Sequence, residues 1–279
     1  MDIAVRVKDI LRGIDSQAPF SLAESWDNVG LLVGDGERPV SGVLVGLDPT
    51  HRLLDEAIAN RVNTVVTHHP VIFKPLQAID TSTAEGRLLE KALVNQISII
   101  AAHTNFDSAV GGVSAVLARR LGLRDLKPLV PSGKEGDLVG LGCIGSYPLP
   151  LPAREFLARL LSVLQLSRVR MAGIVPETMT SVAICGGSGS EFAQLARSLG
   201  TQVYLSAEIK HSTAIWAVEN RYCVIDGSHY ATEKPAVAEL VAKLRETALR
   251  EQWRISILES TTEHHPFLEL EESNPEQRL

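Results

Sequence analysis

Short runs of β-branched and other apolar residues alternate along the chain with stretches in which apolar residues recur at helical spacing. The strand-like runs are 41–47, 62–66, 97–102, 139–146, 181–185, 203–205, 222–226 and 254–258. The helical stretches are 3–14, 51–60, 84–95, 111–121, 152–164, 192–199, 209–219 and 233–250. This alternation predicts an α/β fold in which helices are layered on a sheet and functional groups lie at strand ends.

The periodic pattern breaks at 127–137, where Pro, Ser and Gly replace regularly spaced apolar residues, and we place a domain junction there. The strand–helix order then repeats, so we expect two similar α/β lobes, each a mixed sheet layered with helices. The first lobe is expected to comprise residues 1–126 and 223–258, and the second residues 127–222. Residues 259–279 are polar and acidic and contain proline, and we expect them to be a disordered tail.

The 279 residues carry a net charge of −6, which gives no general attraction to nucleic acid or to an anionic membrane. No apolar run approaches the ~18 residues of a membrane span, and the first residues lack a hydrophobic signal core. Cys143, Cys185 and Cys223 lie in separate apolar stretches without C-x-x-C spacing, which predicts buried free thiols in a reducing compartment. We therefore expect a cytoplasmic protein.

Candidate metal ligands follow three of the predicted strands, where a layered α/β sheet presents its binding groups. In chain order they are His68, His69, Asp107, His229 and Glu233, and His103 begins the loop that carries Asp107. Imidazole is the commonest metal-binding side chain near neutral pH, and convergence of three such loops predicts a metal site rather than unrelated polar loops. Thr232 is expected to N-cap the last helix and to place Glu233 in its first turn, where the helix dipole favours a carboxylate.

The number of candidate ligands indicates how many ions they hold. Three imidazoles and two carboxylates are too many for one tetrahedral zinc, and they suit two divalent ions that share a carboxylate and a water. Nitrogen and oxygen ligands without thiolate fit Zn, Fe, Mn, Co or Ni equally well. His103 is either a proton donor next to the ions or a residue that orients the loop of Asp107.

Other polar segments are weaker candidates for the metal or substrate site. Glu208 and His211 either reach the same cavity or begin a solvated helix. The glycine-rich turn 186–190 is either a phosphate cradle or, as we favour, a tight turn. Asp27 and Asn28 either hold a loop near the ions or, as we favour, cap the loop. The tail repeats a His-His-Pro triplet at 264–266, which we interpret as unrelated to the metal site because no strand precedes it.

Five segments together resemble the NIF-three-like family of dinuclear metal proteins, whose members are often named GTP cyclohydrolase 1 type 2 homologues. The segments are 25–34 (SWDNVGLLVG), 67–70 (THHP), 103–107 (HTNFD), 186–189 (GGSG) and 228–233 (SHYATE). The resemblance spans residues 1 to about 250, in order. Two positions differ from the usual family pattern: Ser228 replaces a common Gly, and Ser206-Ala207-Glu208 replaces Thr-Gly-Glu or Thr-Gly-Asp. Both changes remove a glycine that tolerates unusual backbone angles.

The resemblance implies a specific site and assembly. The metal ligands would be His68, His69, Asp107, His229 and Glu233. His69 and Asp107 would serve one ion, His68 and His229 the other, and Glu233 would bridge the two. The family also implies a two-lobed protein with the metal site between the lobes, assembled as a toroidal homohexamer.

The family name points to hydrolysis, in which a metal-bridged hydroxide attacks an electrophilic carbon or phosphorus. For GTP, water would attack C8 of guanine and formate would leave, with His103 or Glu208 moving protons. Other nucleotides or phosphate-containing small molecules, cleaved as by a phosphoesterase, fit the same centre. The alternative is a non-catalytic, metal-dependent regulatory or scaffold protein. A coordination position open to a substrate-sized cavity would favour the enzyme.

Overall fold

The computed structural model describes residues 4–133 and 138–268. Its helices are α1 (Val7–Gln17), α2 (His51–Ala59), α3 (Ala84–Val94), α4 (Thr104–Ser108), α5 (Val113–Arg120), α6 (Ala153–Leu164), α7 (Ala193–Ser198), α8 (His211–Glu219) and α9 (His229–Arg250). Short 3-10 turns lie at Phe20–Leu22 and Ser190–Phe192. No helix among these residues is long and apolar enough to cross a membrane.

The first sheet has five strands. In spatial order they are β1 (Gly30–Val33), β4 (Ser98–Ala101), β3 (Thr64–Thr67), β2 (Gly42–Gly46) and β13 (Ser256–Glu259). The last four strands in this order run parallel, and β1 is antiparallel to β4. Every residue of β2, β3 and β4 is buried, as expected for parallel strands with helices on both faces.

The second sheet has six strands and is also mixed. In spatial order they are β5 (Arg124–Lys127), β8 (Cys143–Pro152), β10 (Thr178–Ser188), β11 (Val203–Ala207), β12 (Cys223–Asp226) and β9 (Arg170–Ala172). Strands β10, β11 and β12 are parallel, and the others are antiparallel to their neighbours. A two-stranded ribbon joins β6 (Val130–Pro131) to β7 (Gly140–Leu141). The expected class, mixed sheets layered with helices, is confirmed.

Helix α9 packs into the cores of both sheets. Its middle and C-terminal turns, including Val237, Leu240 and Leu244, belong to the apolar cluster that also contains Val43 of the first sheet. Its Ala231 belongs to the cluster that contains residues of the second sheet. The N-terminus of α9 is therefore held where the two sheets meet.

Two expected boundaries differ from the structure. The segment 223–226 was assigned to the first lobe, but β12 is hydrogen-bonded between β11 and β9 in the second sheet. The tail was expected to be disordered from residue 259, but residues 260–268 lie within the described chain and are anchored to the first sheet. Ser260 donates from its backbone N–H to Val45 O at 2.8 Å, and its hydroxyl donates to Glu56. Residues 269–279 lie outside the described chain.

Candidate metal centre

Strand ends bring the first group of predicted ligands together. Strand β3 ends at Thr67, but the backbone N–H of His68 still donates to Gly46 O at the end of β2, and that of His69 donates to Leu47 O just beyond it. This extension of the sheet fixes the backbone of both histidines. Strand β4 ends two residues before His103, and the short helix α4 that follows carries Asp107.

The ligands from α9 meet these groups around one carboxylate. Glu233 Oε2 lies 3.0 Å from His69 Nε2 and 3.1 Å from His229 Nε2. Glu233 Oε1 lies 3.7 Å from His68 Nε2, which is also 3.7 Å from Asp107 Oδ1. The structure thus brings the five predicted ligands together, with Glu233 between them and its side chain only 4% exposed.

Two buried atoms of this cluster have no hydrogen-bond partner within the described chain. They are His68 Nε2 and Glu233 Oε2. An unpaired buried polar atom costs about 1–3 kcal/mol, so native structures satisfy such atoms with a partner, a water or an ion. A divalent cation among the Nε2 and carboxylate atoms would satisfy both, and the residues present therefore fit a metal.

The outward-facing nitrogen of each histidine is held by an oxygen. The Nδ1 atom of His68 lies 2.8 Å from Ala102 O, that of His69 lies 2.7 Å from Asp48 Oδ1, and that of His229 lies 2.9 Å from Glu208 Oε1. An acceptor at Nδ1 fixes the proton there and leaves Nε2 free to bind a cation. All three Nε2 atoms face the interior of the cluster.

Ligand atoms of the cluster form two groups that could each hold an ion. Among the described residues, one group is His68, His69 and His103, and the other is His69, His229 and Glu233, with ligand atoms in each group within 4.8 Å of one another. The first group includes His103, which was predicted from the sequence to be either a proton donor or a residue that orients the loop of Asp107, and not a ligand. Its Nδ1 lies 2.8 Å from Asp27 Oδ1, and its ring centroid lies 5.2 Å from that of His68.

The electrostatics of the cluster reflect buried carboxylates among imidazoles. Burial alone would raise the pKa of Glu233, but the imidazoles of His229, His68 and His69 around its carboxylate hold that pKa well below its usual value. Burial opposes protonation of His69, yet Asp48 and Glu233 raise its pKa to about 10. Burial raises the pKa of Asp107. The site therefore favours positive charge between its carboxylates, and a bound cation supplies that charge while displacing protons.

Glu208, predicted to be catalytic, lies beside a ligand rather than among the ligand groups. It accepts from His229 Nδ1 and has a backbone φ of +52°. His211 is exposed at the start of α8 and belongs to neither ligand group. A catalytic role for Glu208 remains a prediction, and its observed contact orients His229.

Residues 186–188 of the glycine-rich turn form the end of strand β10, and Gly187 lies directly against Glu233. The N–H of Gly186 donates to Ser114 Oγ and that of Gly187 to Thr232 Oγ1, so both amides already have partners inside the protein. A Cβ atom at Gly187 would lie 2.1 Å from Glu233 Oε1, and its φ is +67°. This segment therefore makes room for the central carboxylate. It is the end of a strand, where the pairing of β10 with β11 changes register, and not the tight turn expected from the sequence.

The start of α9 differs from the prediction. The helix begins at His229, so Thr232 is inside it and Glu233 is in its second turn. The Thr232 hydroxyl donates back toward Ser228 O and His229 O and accepts from Gly187 N–H. Ser, Thr, Asn and Asp make such local bonds both at caps and within helices, which is why the sequence pattern resembles a cap.

The roles of Asp48 and Glu263 were not predicted from the sequence, and Asp27 was interpreted as a loop cap. Asp48, which follows β2, has a strand-end position like that of the histidines, and the same rule would have found it. Asp27 accepts from His103 and from Thr104, and hydrogen bonds from both hold its pKa at about 2 despite burial, which would raise it. Glu263 lies in the tail, where no local pattern marks it. The tail residue His265 contacts Ser228 Oγ and belongs to neither ligand group.

Two cavities open at the centre. The larger, of about 760 Å³, is beside His229, and the smaller, of about 200 Å³, is beside Asp107. Among the residues that line the larger cavity are Arg168, Arg170, Glu208, His229, His265 and Phe267. Its volume lies within the range of small-molecule sites.

The model of the family Duf34/NIF3 (NGG1p interacting factor 3) matches residues 5–266. The chain belongs to the Duf34/NIF3 family. Among its relatives, a "GTP cyclohydrolase 1 type 2 homolog" of Streptomyces coelicolor is 35% identical over 267 residues, covering 94% of this chain and 93% of the relative. A protein of the same name from Clostridium acetobutylicum is 31% identical, covering 87% of this chain and 90% of its own.

Solved structures of the family share the fold. A hypothetical protein of Staphylococcus aureus superposes with a TM-score of 0.87 at 29% identity, covering 96% of this chain and 100% of its own. A Bacillus cereus protein related to NIF3 gives a TM-score of 0.89 at 24% identity, covering 96% and 99%. The family model and the two named relatives confirm the family resemblance drawn from the sequence motifs, and the solved structures confirm the fold.

Proposed function

We propose that this Duf34/NIF3 protein is a metal-dependent hydrolase with two divalent ions per chain. The ligands would be His68, His69, Asp107, His229 and Glu233. The observation that carries the proposal is the set of inward-facing Nε2 atoms around Glu233, each with its Nδ1 held by an oxygen. Zn, Fe, Mn, Co and Ni all suit these nitrogen and oxygen ligands.

Such a pair of ions, when bound, lowers the pKa of a water held between them and orients it toward an electrophilic carbon or phosphorus. The protein's own groups would then move protons. His103 is suited to this, because Asp27 holds its Nδ1 and leaves Nε2 on the side of the His68 and His69 rings. Glu208 is the second candidate, since it borders the larger cavity and contacts His229.

The larger cavity supports a substrate the size of a nucleotide or another phosphate-containing molecule. It reaches His229 directly, and Arg168 and Arg170 line it. Arginine binds phosphate through paired N–H donors, although Arg170 also lies 2.6 Å from Asp226. The relatives' name makes GTP the first substrate to test, with release of formate as the product.

The assembly and compartment of this chain belong to the same proposal. The family resemblance favours a toroidal homohexamer. Exposed apolar residues on α8 and just after β9, among them Ile215, Val218 and Ile174, give apolar surface available for subunit contacts. Cys143, Cys185 and Cys223 are buried and form no disulfide among the described residues, which supports a reducing, cytoplasmic environment.

The test is formate release from GTP by purified protein whose metal content has been measured. Glu233→Gln should lose metal and formate release while remaining folded, because the amide cannot bridge two cations. Glu246→Gln, an exposed change on the same helix, is the matched control and should behave as wild type. Full activity and metal content in Glu233→Gln would reject the bridging role.

Absence of formate release by the wild-type protein would also be informative about the function. If two ions per chain are present and no formate appears, GTP is rejected as the substrate. Other phosphate esters and amides would then be tested as substrates. Absence of hydrolysis across those substrates, with both ions bound, would support the metal-dependent regulatory or scaffold protein instead.

A further inference from the structure

The C-terminal segment, residues 260–268, runs from the edge of the first sheet to the metal centre. It leaves β13 with Ser260 bonded to Val45 O, and the side chains of Thr261 and Thr262 donate to Glu56. These bonds anchor the first half of the segment. The second half contacts two loops that carry metal ligands.

Glu263 is the acidic residue of this segment, and its side chain is only 5% exposed. Its Oε1 accepts from Leu47 N–H at 2.5 Å and from Asp48 N–H at 3.1 Å. Its Oε2 lies 2.5 Å from Lys234 Nζ. Burying a carboxylate is costly unless its oxygens are paired, and both oxygens of Glu263 are.

Two of the three partners of Glu263, Asp48 and Lys234, adjoin proposed metal ligands. Asp48 accepts from His69 Nδ1 at 2.7 Å and thereby orients that imidazole. Lys234 follows Glu233 directly in α9. Glu263 therefore connects the loop that holds His69 to the helical turn that holds the central carboxylate. Gly46 makes room for this contact, because a Cβ atom there would lie 2.9 Å from Glu263 Oε1.

His265 makes a second contact with the ligand-bearing elements. Its Nε2 lies 2.6 Å from Ser228 Oγ, and its ring centroid is 5.5 Å from that of Tyr230. These two residues flank His229 in the sequence. The segment thus contacts both the first-sheet loop and the start of α9.

We propose that the C-terminal segment positions the metal ligands, with Glu263 as the main positioning residue and His265 as the second. Glu263 fixes His69 through Asp48 and fixes the turn of Glu233 through Lys234, and His265 holds the backbone next to His229. The inference depends on the metal-binding part of the proposed function and is independent of hydrolysis.

The experiment measures metal binding in the full-length protein by Co²⁺ competition with a chromophoric chelator, together with the Co²⁺ absorption spectrum. Glu263→Ala should weaken binding about 10- to 100-fold, as loss of such outer partners commonly does, and should shift the absorption bands. Glu263→Gln should restore much of the affinity, because its amide oxygen still accepts from the two backbone N–H groups. His264→Ala is the matched control, since His264 is exposed and contacts Arg52.

His265→Ala gives an independent test, because His265 contacts the surface of the folded protein and its loss should leave the fold intact. We expect a smaller loss of affinity with a changed Co²⁺ spectrum. Wild-type affinity and spectrum in both Glu263→Ala and His265→Ala would overturn the proposal, even if Glu263→Ala lowers thermal stability. If wild type binds no Co²⁺, the proposed function itself fails, which is a distinguishable result.

Discussion

Glu233 is the central residue of the candidate centre, and its position depends on the absence of a side chain at the neighbouring Gly187. Histidines from both sides of the site lie within 3.7 Å of its oxygens. Gly187 lies against the same carboxylate, and its lack of a side chain leaves Oε1 room to face His68. The backbone of the glycine-rich turn thus determines the position of a side chain on another element.

Gly187→Ala should therefore displace Glu233 and weaken metal binding at least tenfold. The new Cβ would lie 2.1 Å from Glu233 Oε1. A positive φ also costs an L-residue about 1–2 kcal/mol, so a control with the same backbone penalty is needed. Gly200→Ala supplies it, because Gly200 has a φ of +79° and open space around its Cβ position.

The readout is metal per chain and affinity for both variants. Both should lose comparable stability from the backbone, and Gly187→Ala alone should lose metal. Equal metal affinity in the two variants would contradict the proposal that Gly187 makes room for the carboxylate of Glu233.

Among individual residues, the five proposed ligands were easier to find in the sequence than the residues that contact them. The proposed ligands lie at strand ends or in the motifs that resemble the family. Asp27 is 76 residues away from His103 along the chain and Glu263 is 215 residues from Asp48, so only folding reveals these pairs. Side chains that act by contact across long sequence separations leave no local pattern.

At the scale of helices and strands, α9 also shows what a sequence pattern does not reveal. Its apolar periodicity was predicted, but its first turn was not, because the helix starts after Ser228, whose φ of +68° and ψ of 137° are unusual for a residue with a side chain. Edge strands β1, β5 and β9 were also missed, since edge strands are partly exposed and lack the continuous apolar runs of β2, β3 and β4.

The backbone before α9 predicts an order of stability for two substitutions. Ser228→Gly and Ser228→Ala both lose the hydroxyl contact with His265, but only the alanine keeps a Cβ at positive φ. We expect the glycine variant to be more stable than the alanine variant by about 1–2 kcal/mol in urea unfolding of the metal-free protein. An alanine variant as stable as the glycine variant would show that this backbone geometry carries no strain.

The whole molecule places the candidate centre where its two sheets meet. His68, His69 and Asp107 come from the first sheet and its loops, and the glycine-rich turn and Glu208 come from the second. Helix α9 packs into both cores, so the sheets are already joined by apolar contacts. The cluster of proposed metal ligands adds a polar connection between the sheets at the N-terminal end of that helix. Bound metal should therefore stabilise the loops around the ligands, while apolar packing stabilises the middle of α9 without it.

Removing the metal should lower the melting temperature without separating the sheets. An ion that binds only the folded chain stabilises it by about 2.7 kcal/mol at a concentration 100 times its Kd. We expect a chelator to lower the melting temperature and added Zn²⁺ or Mn²⁺ to restore it. Hydrogen exchange should increase at 67–70 and 186–189, where the backbone holds or borders ligands, and should stay slow in the middle of α9, which apolar packing protects.

Helix α2 serves as the internal control for this exchange experiment. Leu53, Leu54 and Ala57 pack it within the apolar cluster that includes Val65 of β3, on the sheet face away from α9. Its exchange should be the same with and without metal. If chelation instead raises exchange evenly through α2 and α9, the ions support the global fold and not a local junction. If exchange at 67–70 and 186–189 does not change at all, the segments that hold Glu233 among its histidines are fixed by the protein alone.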